Sequence, residues 1–269
     1  MTPGVPVCIL TGAGRTDRGR LLGALGSRLG SAPRPSVPYR MGVRLITFDR
    51  PGYGGSDRSV GRTVSSAAED VRLIADALGI GRFGVVGRSG GAPHALACAA
   101  LIPERTARTG ALVGLAPRDA ADLDWFDGMT EANVHAYVNA AAGRHRLTAA
   151  LGLRSLTIRA DPAAIVAEMR SGLPESDRRI VADAGIQAML ERNFAEGLRS
   201  SADGWVDDVT AFSTGWGFDL ADITAPVVLR HGRRTSSPRS NTPAGSAATS
   251  PAPWSRSNPT RPTSERSAS

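Results

Sequence analysis

Apolar residues in this chain fall into short continuous runs separated by longer amphipathic stretches. "VPVCIL" (5–10) has the density of a buried strand and is closed by the turn-like "TGAGRTDRG". "GVRLITFD" (42–49) is a second strand, followed by the tight turn "RPGYGGSD". In "SSAAEDVRLIADALG" (65–79), Val71, Ile74, Ala75 and Leu78 recur at helical spacing. Ser66 and Glu69 predict a capping box for that helix, and Gly79 a stop. "RFGVVG" (82–87) is a strand, then a turn at Ser89, then an alanine-rich helix to about residue 101. "TGALVGLAP" (109–117) is the next strand. Strand–helix–strand alternation at this spacing predicts an α/β fold, a mostly parallel doubly wound sheet with helices on both faces.

From residue 118 to about 202 the alternation stops. "TEANVHAYVNAAAG", "DPAAIVAEMRSGL", "ESDRRIVADAG" and "IQAMLERNFAEGLRS" all have helical patterning, with no strand between them. "DGWVDDVTAF" (203–212) is one more helix, and "APVVLRHG" (225–232) restores the strand pattern. After Gly232 the text turns abruptly to Ser, Pro, Thr, Ala and Arg without apolar periodicity. The expected organisation is a core of 1–117 and 203–232, a helical insertion of 118–202, and a disordered tail of 233–269.

Charge narrows the function classes. The formal net charge is +7, but residues 233–269 hold six arginines against one glutamate, so +5 lies in the tail and +2 in the rest. That leaves no basic stripe in the folded part, and no specific nucleic-acid partner is expected. There is no lysine; all 32 basic residues are arginine. Schiff-base and pyridoxal-phosphate chemistry are thereby excluded. So is a phosphate loop at "GRTDRGRL" (14–21), where Arg20 and Leu21 stand in place of Lys and Ser or Thr. The glycines at 12, 14 and 19 do not make a dinucleotide fingerprint either. No apolar run approaches the roughly 20 residues of a membrane span, and the start lacks a basic signal region, so a cytoplasmic protein is expected. Cys8 and Cys98 sit in a strand-like and a helical run and are expected as buried thiols.

The chemistry concentrates in "GRSGG" (87–91). A serine in a sharp strand-to-helix turn, with Gly87 and Gly91 leaving room for the chain, is a way to expose a nucleophile. The helix start behind it directs N–H groups at the same place. This stretch, with "FDRPGYGGSD" (48–57) before it and a helical insertion after the next strand, resembles the α/β-hydrolase family over residues 26–232. The turn and insertion look like the lid-containing branch of epoxide hydrolases and proline iminopeptidases. The resemblance implies that Ser89 is the nucleophile, that the Gly90 N–H is an oxyanion donor, and that 118–202 is a lid. It implies a small ester, amide or lactone as substrate, and no metal or organic cofactor. Trp125, Phe126, Met129, Met189 and Phe194 either line an apolar pocket or hold the lid to the core.

Two parts of that family's pattern are missing. Its second oxyanion donor comes from an H-G pair, and Leu22 and Gly23 occupy that region. Its acid follows the "HG" after "VVLR", where this chain has Thr235, and no histidine follows His231. His231, at a strand end, is the substitute base that the sequence offers. His94 is expected to be a packed helix residue, and His135 and His145 to belong to the lid. Asp49 and Arg50 are expected to pair within their turn. Arg88 is expected at the surface or bracing the turn, with contact to an anionic substrate as the other reading. Asp119, Asp122 and Asp124 are replacement acids only if a histidine serves them. The alternative function is therefore an inactive relative that binds a small ligand. Both defects would follow if a different reading frame had been translated near residues 22 and 233, which the other frames of the encoding DNA would show. Loss of the last strand would also leave an exposed sheet edge and poor solubility.

Overall fold

The structure, a computed structural model, describes residues 7–11, 26–30, 40–121, 123–173 and 175–231, the first of these segments as backbone alone. The expectations for Leu22, Gly23, Asp122 and the 233–269 tail lie outside the described residues. Among the described residues five strands form one parallel sheet: β1 (Val7–Thr11), β2 (Arg44–Thr47), β3 (Phe83–Arg88), β4 (Thr106–Leu112) and β5 (Val227–Arg230). Their order across the sheet is β2-β1-β3-β4-β5, so the direction of winding reverses between β1 and β3. In such sheets the carboxyl ends beside the reversal form the natural crevice for ligands.

Helix α1 (Ser66–Ala77) leads into β3, and α2 (Gly91–Leu101) leads out of it. Along β3 burial alternates, and Phe83 and Val85 enter a core with Val71 and Ala75 of α1 and Ala95 and Cys98 of α2. Between β4 and β5 the chain makes α3 (Glu131–Ala141), α4 (Arg144–Ala160), α5 (Pro162–Ser171), α6 (Glu175–Val181), α7 (Ala184–Gly197) and α8 (Asp203–Phe212). A short 3-10 turn (Leu220–Asp222) precedes β5. These helices bury a second apolar cluster, in which Leu147, Phe194, Leu198 and Phe212 join Tyr53, Leu96 and Ala111 of the sheet layer.

Three local expectations change. The capping box does not form: Ser65 is the N-cap of α1, Ser66 Oγ accepts the Thr63 N–H at 3.1 Å, and Glu69 is held by Arg72 at 2.6 and 2.8 Å. Arginine at i+3 competes successfully for the carboxylate that the box would need. Strand β4 begins and ends earlier than 109–117. Thr106, 1% exposed, satisfies its hydroxyl on the Cys98 carbonyl at 3.0 Å, so a polar residue enters the sheet at no loss. At the other end Val113 takes φ +50°, which turns the chain out of the sheet. Third, α4 is the longest helix among the described residues and had no counterpart among the helices expected from the sequence. Its buried Leu147, Leu151, Ser155 and Ile158 do follow helical spacing, but Gly152 and the run "SLTIR" obscure it.

Candidate active site

Ser89 stands in the turn between β3 and α2 with φ +50°, a region costly for any residue with a side chain. The surrounding packing leaves no alternative path. A Cβ on Gly87 would lie 2.0 Å from the Gly91 carbonyl oxygen and 2.8 Å from the Ala92 Cα. A Cβ on Gly114 would lie 2.7 Å from the Ala92 Cβ. The Ser89 N–H donates to Leu112 of β4 at 2.8 Å, and the Ser89 carbonyl accepts the Ala92 N–H at 2.9 Å. The serine is therefore pinned to the neighbouring strand on one side and to the first turn of α2 on the other. Gly90 is the N-cap of α2, and the helix from Gly91 to Ala99 is buried throughout. Helix N-termini direct N–H groups and the positive end of the dipole outward, which suits a developing oxyanion beside Ser89.

Arg88, the residue before the serine, is 7% exposed, which sets aside the surface placement and leaves the other expected for it, within the turn. Burial lowers its pKa to about 10, and the charge of Asp177 in α6 works against that shift. The elbow thus lies electrostatically close to the helical segment.

The turn at 48–57 is shaped by two separate carboxylates rather than by an Asp49–Arg50 pair. Asp49 accepts the Arg28 N–H at 2.6 Å, the Gly55 N–H at 3.0 Å and the Arg28 guanidinium. Arg50 instead reaches Asp208 of α8 at 2.5 Å. Arg62 meets the same carboxylate at 2.6 Å, and the Tyr53 hydroxyl donates to it at 2.8 Å. Asp208 is fully buried. Burial alone would raise its pKa, but Arg50 and Arg62 outweigh it and hold the carboxyl well below the usual range. The knot closes with a backbone contact: Gly204 N–H donates to the Gly52 carbonyl at 3.2 Å, and a Cβ on Gly52 would sit 2.7 Å from the Gly204 Cα. The sequence reading missed Asp207 and Asp208, although two acids inside an otherwise apolar helical pattern were a signal.

His94 lies on α2, 1% exposed, with its ring 5.5 Å from Phe212 and Nε2 4.0 Å from Asp208. Burial lowers its pKa to about 3, a shift that Asp208 opposes and the two arginines reinforce. It is a packed residue, as its helical context predicted. His135 and His145 are exposed on α3 and at the start of α4. His231 is exposed immediately after β5. Ser89 and His231 follow β3 and β5, which flank β4 on either side, and the Arg230 carbonyl accepts the Val113 N–H at 2.7 Å. Both residues thus stand at the carboxyl edge of the sheet, two strand spacings of about 4.8 Å apart. Asp124 accepts the Phe126 N–H at 3.2 Å and shapes its own turn. Cys98 is a free, buried thiol whose pKa burial pushes up to about 12. Among the described residues no group of three His, Cys, Asp or Glu could hold a metal, and no helix is long and apolar enough to cross a membrane.

A parallel sheet with a serine elbow at its winding reversal and a helical segment inserted before the edge strand defines one class of α/β protein. Residues 25–156 match the family model described as alpha/beta hydrolase fold, and the chain has that fold. Solved structures agree on the fold. The enol-lactonase from Burkholderia xenovorans LB400 is 20% identical with a TM-score of 0.51, over 84% of this chain and 72% of that one. A thermophilic esterase from Thermogutta terrifontis is 19% identical, TM-score 0.54, over 84% and 70%. Epoxide hydrolase A from Mycobacterium thermoresistibile is 18% identical, TM-score 0.51, over 83% and 74%. No curated protein sequence matches the chain.

Proposed function

We propose that this protein hydrolyses a small ester, amide or lactone through Ser89. The reading rests on the strained turn: Ser89 keeps φ +50° at the carboxyl edge of the sheet, where glycine would adopt that angle at less cost. In the proposed reaction Ser89 Oγ attacks the substrate carbonyl, the oxyanion forms against the Gly90 N–H, and the serine proton passes to a base. His231 is the base that the sheet edge offers. Collapse of the tetrahedral species expels the leaving group, which takes up the proton, and water then releases the acid from the acyl-serine. The 118–202 segment serves as the lid.

A second reading is an inactive relative that binds a small ligand. It is supported by His94, which lies five residues after Ser89 yet is committed to the Asp208 knot with its protonation suppressed. Without an effective base, binding and oxyanion contacts leave a residual acceleration of about 10³–10⁴ over water. A serine-directed fluorophosphonate separates the two readings. Stoichiometric labelling of the folded chain, lost in Ser89→Ala and reduced in His231→Gln, is the expected result. A folded chain that takes up no label overturns the hydrolase reading in favour of the second.

A further inference from the structure

A groove of about 400 Å³ lies in the helical segment and does not include Ser89 in its lining. That volume lies within the range of small-molecule sites. Its walls come from four parts of the chain: Tyr137 of α3, Leu147 of α4, Thr210 at the end of α8, and Phe126 from the loop after β4. Leu147 is fully buried and Tyr137 nearly so, which makes the floor apolar and fixed. Arg118 and Arg144 stand at its edge.

The two arginines differ. Arg144 is held by Asp207 at 2.7 Å, a carboxylate that also binds Arg58. Arg118 has no carboxylate at ion-pair distance among the described residues. Its guanidinium instead stands 4.9 Å from the Trp125 ring centre and 5.1 Å from that of Phe126. The indole is itself fixed, because Trp125 Nε1 donates to the Ala116 carbonyl at 2.9 Å and the ring packs edge-on to Tyr137 at 4.6 Å. A guanidinium stacked on aromatic faces keeps its in-plane N–H fork available, and that fork matches a carboxylate. The Thr210 and Ser213 hydroxyls of the lining already donate: Thr210 to the Val206 carbonyl at 2.8 Å and Ser213 to the Val209 carbonyl at 2.7 Å. They therefore present lone pairs, which disfavour a second carboxylate on the same ligand.

We propose that this groove binds a monocarboxylate on an apolar body, with the carboxylate on Arg118 and the body against Phe126, Tyr137 and Leu147. The site is independent of whether Ser89 is active. The probe is 4-phenylbutyrate, with the neutral 4-phenylbutyramide and a dicarboxylate of similar length beside it, titrated calorimetrically into the full chain. Saturable binding of the monocarboxylate is expected, at least tenfold tighter than the amide and tighter than the dicarboxylate. Arg118→Gln removes an exposed side chain and should weaken binding at least tenfold with an unchanged melt. Ala141→Phe should block binding by filling the groove while Arg118 remains. Ser89→Ala should leave the affinity unchanged. Amide binding equal to the acid, an Arg118→Gln chain that binds normally, or binding lost in Ser89→Ala would overturn the proposal, as would no binding at all.

Discussion

Asp208 is the residue on which the turn at 48–57 depends. It is the carboxylate that Arg50, Arg62 and Tyr53 share, and it is fully buried. Asp208→Asn keeps the shape but leaves two buried guanidinium groups without a counter-charge. A loss of about 3–5 kcal/mol is expected, measured by urea unfolding. His94 gives the same region a pH dependence. Folded, it takes a proton only near pH 3; unfolded, near 6.5. Between those values the unfolded chain binds the extra proton, so stability is full above pH 6.5 and falls as the pH drops. His94→Gln should hold its urea midpoint down to about pH 4, where carboxylates begin to titrate. The packed state of His94 was readable from its alanine-rich surroundings. Its neighbour Asp208 was not, because the partners of an acid 114 positions away in sequence are set by tertiary packing alone.

At the scale of elements, the parts readable in the sequence were those with one dominant local signal. Helix α8 matches its expected bounds, 203–212, since Asp203 opens a pattern with buried Trp205, Val206, Val209 and Phe212. The elbow was legible because few arrangements other than a strand-to-helix turn need Gly87 and Gly91 around Ser89. Strand β4 was misplaced because Thr106 looks like a loop residue until the Cys98 carbonyl is beside it. Helix α4 was obscured by Gly152, and this gives a direct test. A Cβ on Gly152 meets nothing within 4 Å, so Gly152→Ala should stabilise the protein by about 0.5–1 kcal/mol, seen as a higher urea midpoint.

For the molecule as a whole, the feature with most consequence for handling is the outer edge of β5. Among the described residues no strand pairs with that edge, and Val228 and Leu229 are 44% and 53% exposed. An open parallel edge with apolar side chains invites pairing with another chain. Concentration-dependent association is expected, and Val228→Lys should shift the population toward monomer in size exclusion with light scattering. The Arg50–Asp208 knot has its own consequence during biosynthesis. Its partners are separated by 158 positions. At about 5–20 residues per second, Arg50 waits roughly 8–30 s after it is made before its counter-charge exists. Over that interval the nascent turn at 48–57 has no ion-pair partner from α8. A translational pause before codon 208 would prolong its exposure to proteases, and with it the choice between folding and degradation.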